Sequence, residues 1–179
     1  MKTKLINCLI IFIIIQSCGF NTSPEDYFDT TTLNTNLLTN FGSKDFEHFN
    51  NLKLQNGLYT ENEEGEWVAQ NKLVPHLQTY VIPSLEKKIK EIKDLRPTAS
   101  TEAMINASLL LHEFTLEKYQ LDYLHIAQLI DNQTNSKVIT AAIFNLEHSH
   151  AEKFWELHKK LTDVALPYAK ANNIEVTRY

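Results

Sequence analysis

The chain has 179 residues, 43% of them hydrophobic and 22% charged, with a formal charge of −5. That length suits one domain with a real core and is short for two, and the acidic balance excludes broad binding to nucleic acid or to anionic lipid head groups. With four glycines there is no Gly-rich phosphate loop. A Gly-x-Ser-x-Gly elbow and a His-Glu-x-x-His helix are also missing, so binding rather than catalysis is the expected mode of action.

The first element is a short leader. Lys2 and Lys4 precede an apolar run from Leu5 to Ile15, and Ile15-Gln16-Ser17-Cys18 follows. The run of about eleven residues is well short of the ~20 that a spanning helix needs, but it fits the h-region of a signal peptide. Ile15, Ser17 and Cys18 give a segment that resembles the lipobox of bacterial lipoproteins, with Gln16 departing from the small or modestly apolar residue usual there. The resemblance covers about the first twenty residues. It implies cleavage of residues 1–17, acyl chains on Cys18, and a place in the bacterial cell envelope with the membrane reached through that lipid. Gly19, where an acidic residue is associated with inner-membrane retention, leans the sorting toward the outer membrane. More than one acyl chain anchors stably. With Cys18 as the only remaining cysteine and its sulfur carrying lipid, disulfides, thiolate metal sites and cysteine nucleophiles are excluded. Loss of Lys2 and Lys4 leaves the mature chain two charges more negative.

Residues 18–40, rich in Asn, Thr and Ser, are expected to form a lipidated flexible tether. Ser23-Pro24-Glu25-Asp26 offers the alternative of a short helix, with an N-cap, a proline at the first helical position and acidic residues in the first turn. The domain proper is expected at 41–179. Phe41, Phe46, Phe49 and Leu52 suggest a short helical segment over 41–54, weakened by Gly42 and Asn50-Asn51. Residues 55–70, with Gly57, Gly65 and the acidic cluster Glu61, Glu63, Glu64, Glu66 beside Trp67, read as a solvated connection. Their oxygen spacing is not that of an EF-hand loop.

Long helical periodicity begins at Lys72. Leu77, Val81, Leu85, Ile89 and Ile92 form one apolar stripe, with a kink or restart expected near Ser84 because of Pro83, and an end at Arg96-Pro97. A second helix opens near Ser100 and carries Leu109, His112, Leu116, Tyr119, Tyr123, Ile126 and Ile130 at steps of three and four. After a turn over Asp131 to Ser136, a third runs from about Lys137 to Lys170, with the stripe Ile143, Glu147, His150, Phe154, Leu157, Leu161, Val164 and Tyr168, and Pro167 near its end. So short a turn makes the last two helices antiparallel. Phe114, Tyr119, Tyr123, Phe144, Phe154 and Trp155 suit their shared core. Leftover apolar residues such as Leu110 and Leu121 leave room for a further helix or a second copy. The expected class is all-α, an antiparallel bundle of three long helices plus a short N-terminal helical segment.

Candidate ligands lie in the last two helices. Glu147 and His150 form Glu-x-x-His, half of the ferritin-like di-iron pattern; Asp122-x-x-His125 is a poor second half, and Glu113 and Glu117 add only a one-turn carboxylate pair. His112 and His158 come to similar heights when the hairpin is folded and suit zinc or copper if a third ligand joins them. The expected default is no cofactor beyond the covalent lipid, with packing or surface roles for the histidines. Three functions stand at this point: a non-catalytic protein-binding module whose acidic Glu61 to Glu66 and Trp67 meet a basic partner, such as an envelope protein or a toxin neutralised by an immunity-type protein; a bundle binding iron, zinc, copper or haem through Glu147, His150, His112 and His158; and a structural envelope spacer.

Overall fold

The computed structural model describes residues 22–32, 38, 40–62 and 64–176. Two short helices come first, α1 over Pro24–Thr32 and α2 over Ser43–Leu54. A hairpin of β1, Leu58–Glu61, and β2, Trp67–Gln70, follows, paired antiparallel from Leu58 opposite Gln70 to Glu61 opposite Trp67. Next is α3 (73–93), built from helix at Leu73–His76, a wide π turn at Leu77–Val81 and helix at Ile82–Lys93. Helix α4 (102–131) has the same plan, with Glu102–Lys118, a π turn at Tyr119–Tyr123, and Leu124–Asp131. Helix α5 is continuous over Ser136–Ala171. The mainly helical class expected from periodicity is therefore adopted, with five helices and a hairpin among the described residues; the stretch read as a solvated connection is the hairpin.

Within the span expected as a tether, α1 is packed. Ser23 caps it, its Oγ accepting from the Asp26 N–H at 3.0 Å while Asp26 Oδ2 accepts from the Ser23 N–H at 3.0 Å, a reciprocal arrangement that satisfies orphan amides. Tyr27, Phe28 and Thr31 are buried. The Tyr27 hydroxyl donates to the Arg96 carbonyl, and the Ser108 hydroxyl donates to the Thr31 carbonyl from α4. Cys18 and the leader lie outside the described residues.

The three stripes are largely the core. Leu77, Leu85, Ile89 and Ile92 of α3, His112, Tyr119, Tyr123 and Ile126 of α4, and Phe154, Leu157, Leu161 and Tyr168 of α5 are buried. Phe154, fully enclosed, stacks on Phe41 at 4.6 Å between ring centroids, so the residue just before α2 enters the α4–α5 core. Each buried Leu, Ile or Phe among them contributes about 1.5–3 kcal/mol by leaving water. Two aromatic residues expected there are not in it: Phe144 is 62% exposed and Trp155 46% exposed, because they sit about 100–120° round the helix from the centre of the buried stripe of α5.

Pro83 does not break α3. The π turn ends just before it, and the Ser84 hydroxyl donates at 2.6 Å to the Tyr80 carbonyl, so the wider turn absorbs the proline one turn before the expected restart. Helix α5 likewise runs through Pro167 to Ala171. The N-terminus of α3 is capped from the far end of α4: the two carboxylate oxygens of Asp131 accept the Leu73 and Val74 N–H groups, both at 2.8 Å. A carboxylate at this helix end also meets the positive pole of its dipole.

Candidate functional site

The hairpin carries the exposed chemistry. Asn62 builds its turn by accepting at Oδ1 from the Glu64 and Glu66 N–H groups, at 3.0 and 2.8 Å, while Gly65 takes a positive φ of 80° that L side chains rarely adopt. Leu58 is fully buried and pins β1 to the core. Farther along, the strand is held by α3. His76 Nδ1 lies 3.2 Å from the Tyr59 N and 2.9 Å from the Tyr59 O, and the Thr79 hydroxyl donates to Thr60 Oγ1 at 3.1 Å. Burial pushes His76 below the usual histidine range, so the neutral ring makes this contact.

The π turn of α3 places Tyr80 beside the hairpin. Its ring stacks on His76 at 5.4 Å and meets Trp67 edge-on at 5.6 Å. Trp67 is 51% exposed, and Tyr59, Val68 and Tyr80 are exposed too. Around them Glu61, Glu64 and Glu66 point into water, and none forms an ion pair with a described residue. The acidic residues and Trp67 singled out from sequence are thus brought together at the turn end of the hairpin, apart from Glu63, which lies outside the described residues. Tyr80 and Tyr59 were missed; they occupy one helix and one strand, and no local spacing joins them.

The second polar cluster is buried. Asp45 of α2 accepts at Oδ2 from the hydroxyls of Tyr123, at 2.6 Å, and Tyr119, at 3.2 Å; Tyr123 also accepts the Gly42 N–H at 2.7 Å. The two phenols come from the π turn of α4, and their rings are stacked at 4.1 Å. Burial raises the Asp45 carboxyl to about 7 against the pull of both hydroxyls, and burial first, then the nearby Asp45, holds the Tyr119 phenol well above its ordinary value.

The four candidate metal ligands serve separate contacts. Glu147 Oε1 accepts from the Ser43 N–H at 2.8 Å and hydroxyl at 2.6 Å, capping α2, and a Cβ on Gly42 would overlap its side chain. His150 Nε2 is 3.7 Å from Asp122 Oδ2, and its ring meets Phe114 edge-on. His112 is fully buried, with Nδ1 2.8 Å from the Ser108 carbonyl and Nε2 without a hydrogen-bond partner among the described residues; burial lowers its pKa and keeps it neutral. His158 is half-buried between Phe154 and Trp155. Among the described residues no group of three or more His, Cys, Asp or Glu side chains is placed to hold a metal ion, and no helix is long and apolar enough to cross a membrane.

The chain matches no family model, no curated protein and no solved structure.

Proposed function

We propose that this is a lipid-anchored protein of the bacterial cell envelope that acts by binding rather than by catalysis. Its ligand is a basic polypeptide taken up at the β1–β2 hairpin. Cys18 carries the anchor, the outer membrane is the favoured location, and the three longer helical runs α3, α4 and α5 are the frame behind the binding surface. Only residues 19–23 separate Cys18 from α1, so the domain sits close to the lipid. The observation that carries the reading is a half-exposed Trp67 set edge-on against Tyr80, beside three carboxylates that have no ionic partner among the described residues. An aromatic face accepts a guanidinium or ammonium group by cation–π attraction, and the surrounding carboxylates steer and pair with it. An immunity-type role, in which the partner is a toxin, is one form of this reading.

The test is calorimetric titration of the full chain in detergent with a short arginine-rich peptide. Wild type binds with a strong salt dependence. Trp67→Ala, which leaves the charge unchanged, weakens binding about tenfold, and Glu61→Gln with Glu64→Gln and Glu66→Gln weakens it further and flattens the salt dependence. Binding equal to wild type in Trp67→Ala would sink the hairpin surface and leave only non-specific acidity. Mass spectrometry of the membrane-extracted chain tests the anchor separately: an unmodified Cys18 overturns it.

A further inference from the structure

Helix α5 leaves one face uncovered, independent of the hairpin. Over 136–145 none of its residues is buried, although Val138, Ile139, Ala141, Ala142, Ile143 and Phe144 are apolar. The helix packs against α4, α1 and α2 on its other side. Lys137, Ala141, Phe144, His148, Glu152 and Trp155 recur at steps of three and four, so they share the outward face, and all six are exposed. Phe144 and His148 stack at 5.7 Å, giving this face a flat aromatic centre. Exposed apolar area of this kind on a monomer marks a contact surface.

Charge identifies the occupant. Between 137 and 163, α5 carries eight acidic or basic side chains. Lys153, Glu156, Lys159, Lys160 and Asp163 pair with one another, and Glu147 is held by Ser43. Only Lys137 and Glu152 have no side-chain partner among the described residues. They lie at equal distances on either side of the midpoint between Phe144 and Asn145, at opposite ends of the same face. A second α5 laid antiparallel about a two-fold axis at that midpoint sets Lys137 against Glu152 of the second copy, and Glu152 against Lys137 of the second copy. The same axis sets Ala141 against His148 of the second copy and brings the two Phe144 rings to the centre. An isologous contact repeats every pair twice, and two helical hairpins joined in this way make a four-helix bundle. One acidic and one basic side chain make this face self-complementary, so a second copy meets no net charge there.

We infer that α5 forms a symmetric antiparallel homodimer through Lys137, Ala141, Phe144, His148 and Glu152. Sedimentation of the full chain in detergent tests it, with the melting curve of each variant recorded alongside. Wild type should show a concentration-dependent dimer. Phe144→Glu, at an exposed position, should melt like wild type and sediment as a monomer. Lys137→Glu or Glu152→Lys alone should weaken the dimer about tenfold, and the double exchange should restore it. A wild type that is monomeric at every concentration overturns the inference, as does a dimer that survives Phe144→Glu. If single charge reversals weaken the dimer and the double exchange does not rescue it, the antiparallel register is wrong. If the wild type is monomeric and Phe144→Glu instead reduces partition into phosphatidylethanolamine–phosphatidylglycerol vesicles, the face belongs to the bilayer and the dimer is overturned.

Discussion

At Leu77–Val81 the wide turn of α3 presents Thr79 and Tyr80 to a hairpin that lies largely in water; at Tyr119–Tyr123 the wide turn of α4 presents two enclosed phenols to Asp45 of α2. Both turns interrupt a helix at the point where a less regular segment has to be held, in keeping with the tendency of π turns to sit at special sites. Their surroundings make the two grips titrate in opposite senses. Asp45 is raised by burial to about 7, so between its ordinary 3.8 and about 7 the folded chain binds more protons than the unfolded one; its contribution is fully present below 3.8 and is lost as pH rises to about 7. His76 is lowered by burial from 6.5, so its contribution is present above 6.5 and is lost as pH falls through the folded value. Acid tightens the inner grip and loosens the outer one.

The largest expected effect is on the inner grip. Asp45→Asn should remove a loss of stability on the order of 4 kcal/mol between about pH 4 and pH 8, read from urea unfolding of both proteins across that range; equal slopes in the two proteins would contradict the inner half of the comparison. Next comes Tyr123→Phe, which strips Asp45 of its shorter hydrogen bond and leaves the Gly42 N–H unpaired. A loss of about 2–3 kcal/mol is expected with the far-UV spectrum unchanged. On the outer side, His76→Ala should cost about 1–2 kcal/mol and speed hydrogen exchange at the Tyr59 amide, while amides near Asp45 keep their protection. If exchange rises at both places, the two grips are one cooperative unit. The smallest effect is Thr79→Val, about 0.5–1 kcal/mol, confined to the hairpin amides.

The helical character was legible because the stripes recur at three and four residues over long stretches; the π turns at Leu77–Val81 and Tyr119–Tyr123, which divide the first two runs, were not, since a one-residue widening leaves the stripe in place. The cap of α1 was legible as well, since Ser23 and Asp26 are three apart. The hairpin was not. Its strands are four residues each and β2 is mostly exposed, so there is no alternation of buried and exposed residues to read. Asp45 was hidden for a different reason: an aspartate in the first turn of a helix ordinarily favours the dipole from the surface, and its partners lie 74 and 78 residues away. Asp131 read as a turn residue because the amides that it caps belong to another helix.

What the sequence by itself determined is local. Periodicity set the helices, Ser23 and Asp26 set a helix start, and the side-by-side placement of Glu61, Glu64, Glu66 and Trp67 set an acidic aromatic turn, because each depends on neighbours a few bonds away. Tertiary structure decided the rest: that Glu147 caps α2, that His150 faces Asp122, that Tyr80 joins Trp67, and that Phe144 and Trp155 stay outside the core. These outcomes depend on which helix lies opposite and at what height. The competition for each carboxylate and each ring is settled by packing between elements far apart in the chain, where the periodicity of a single helix carries no information.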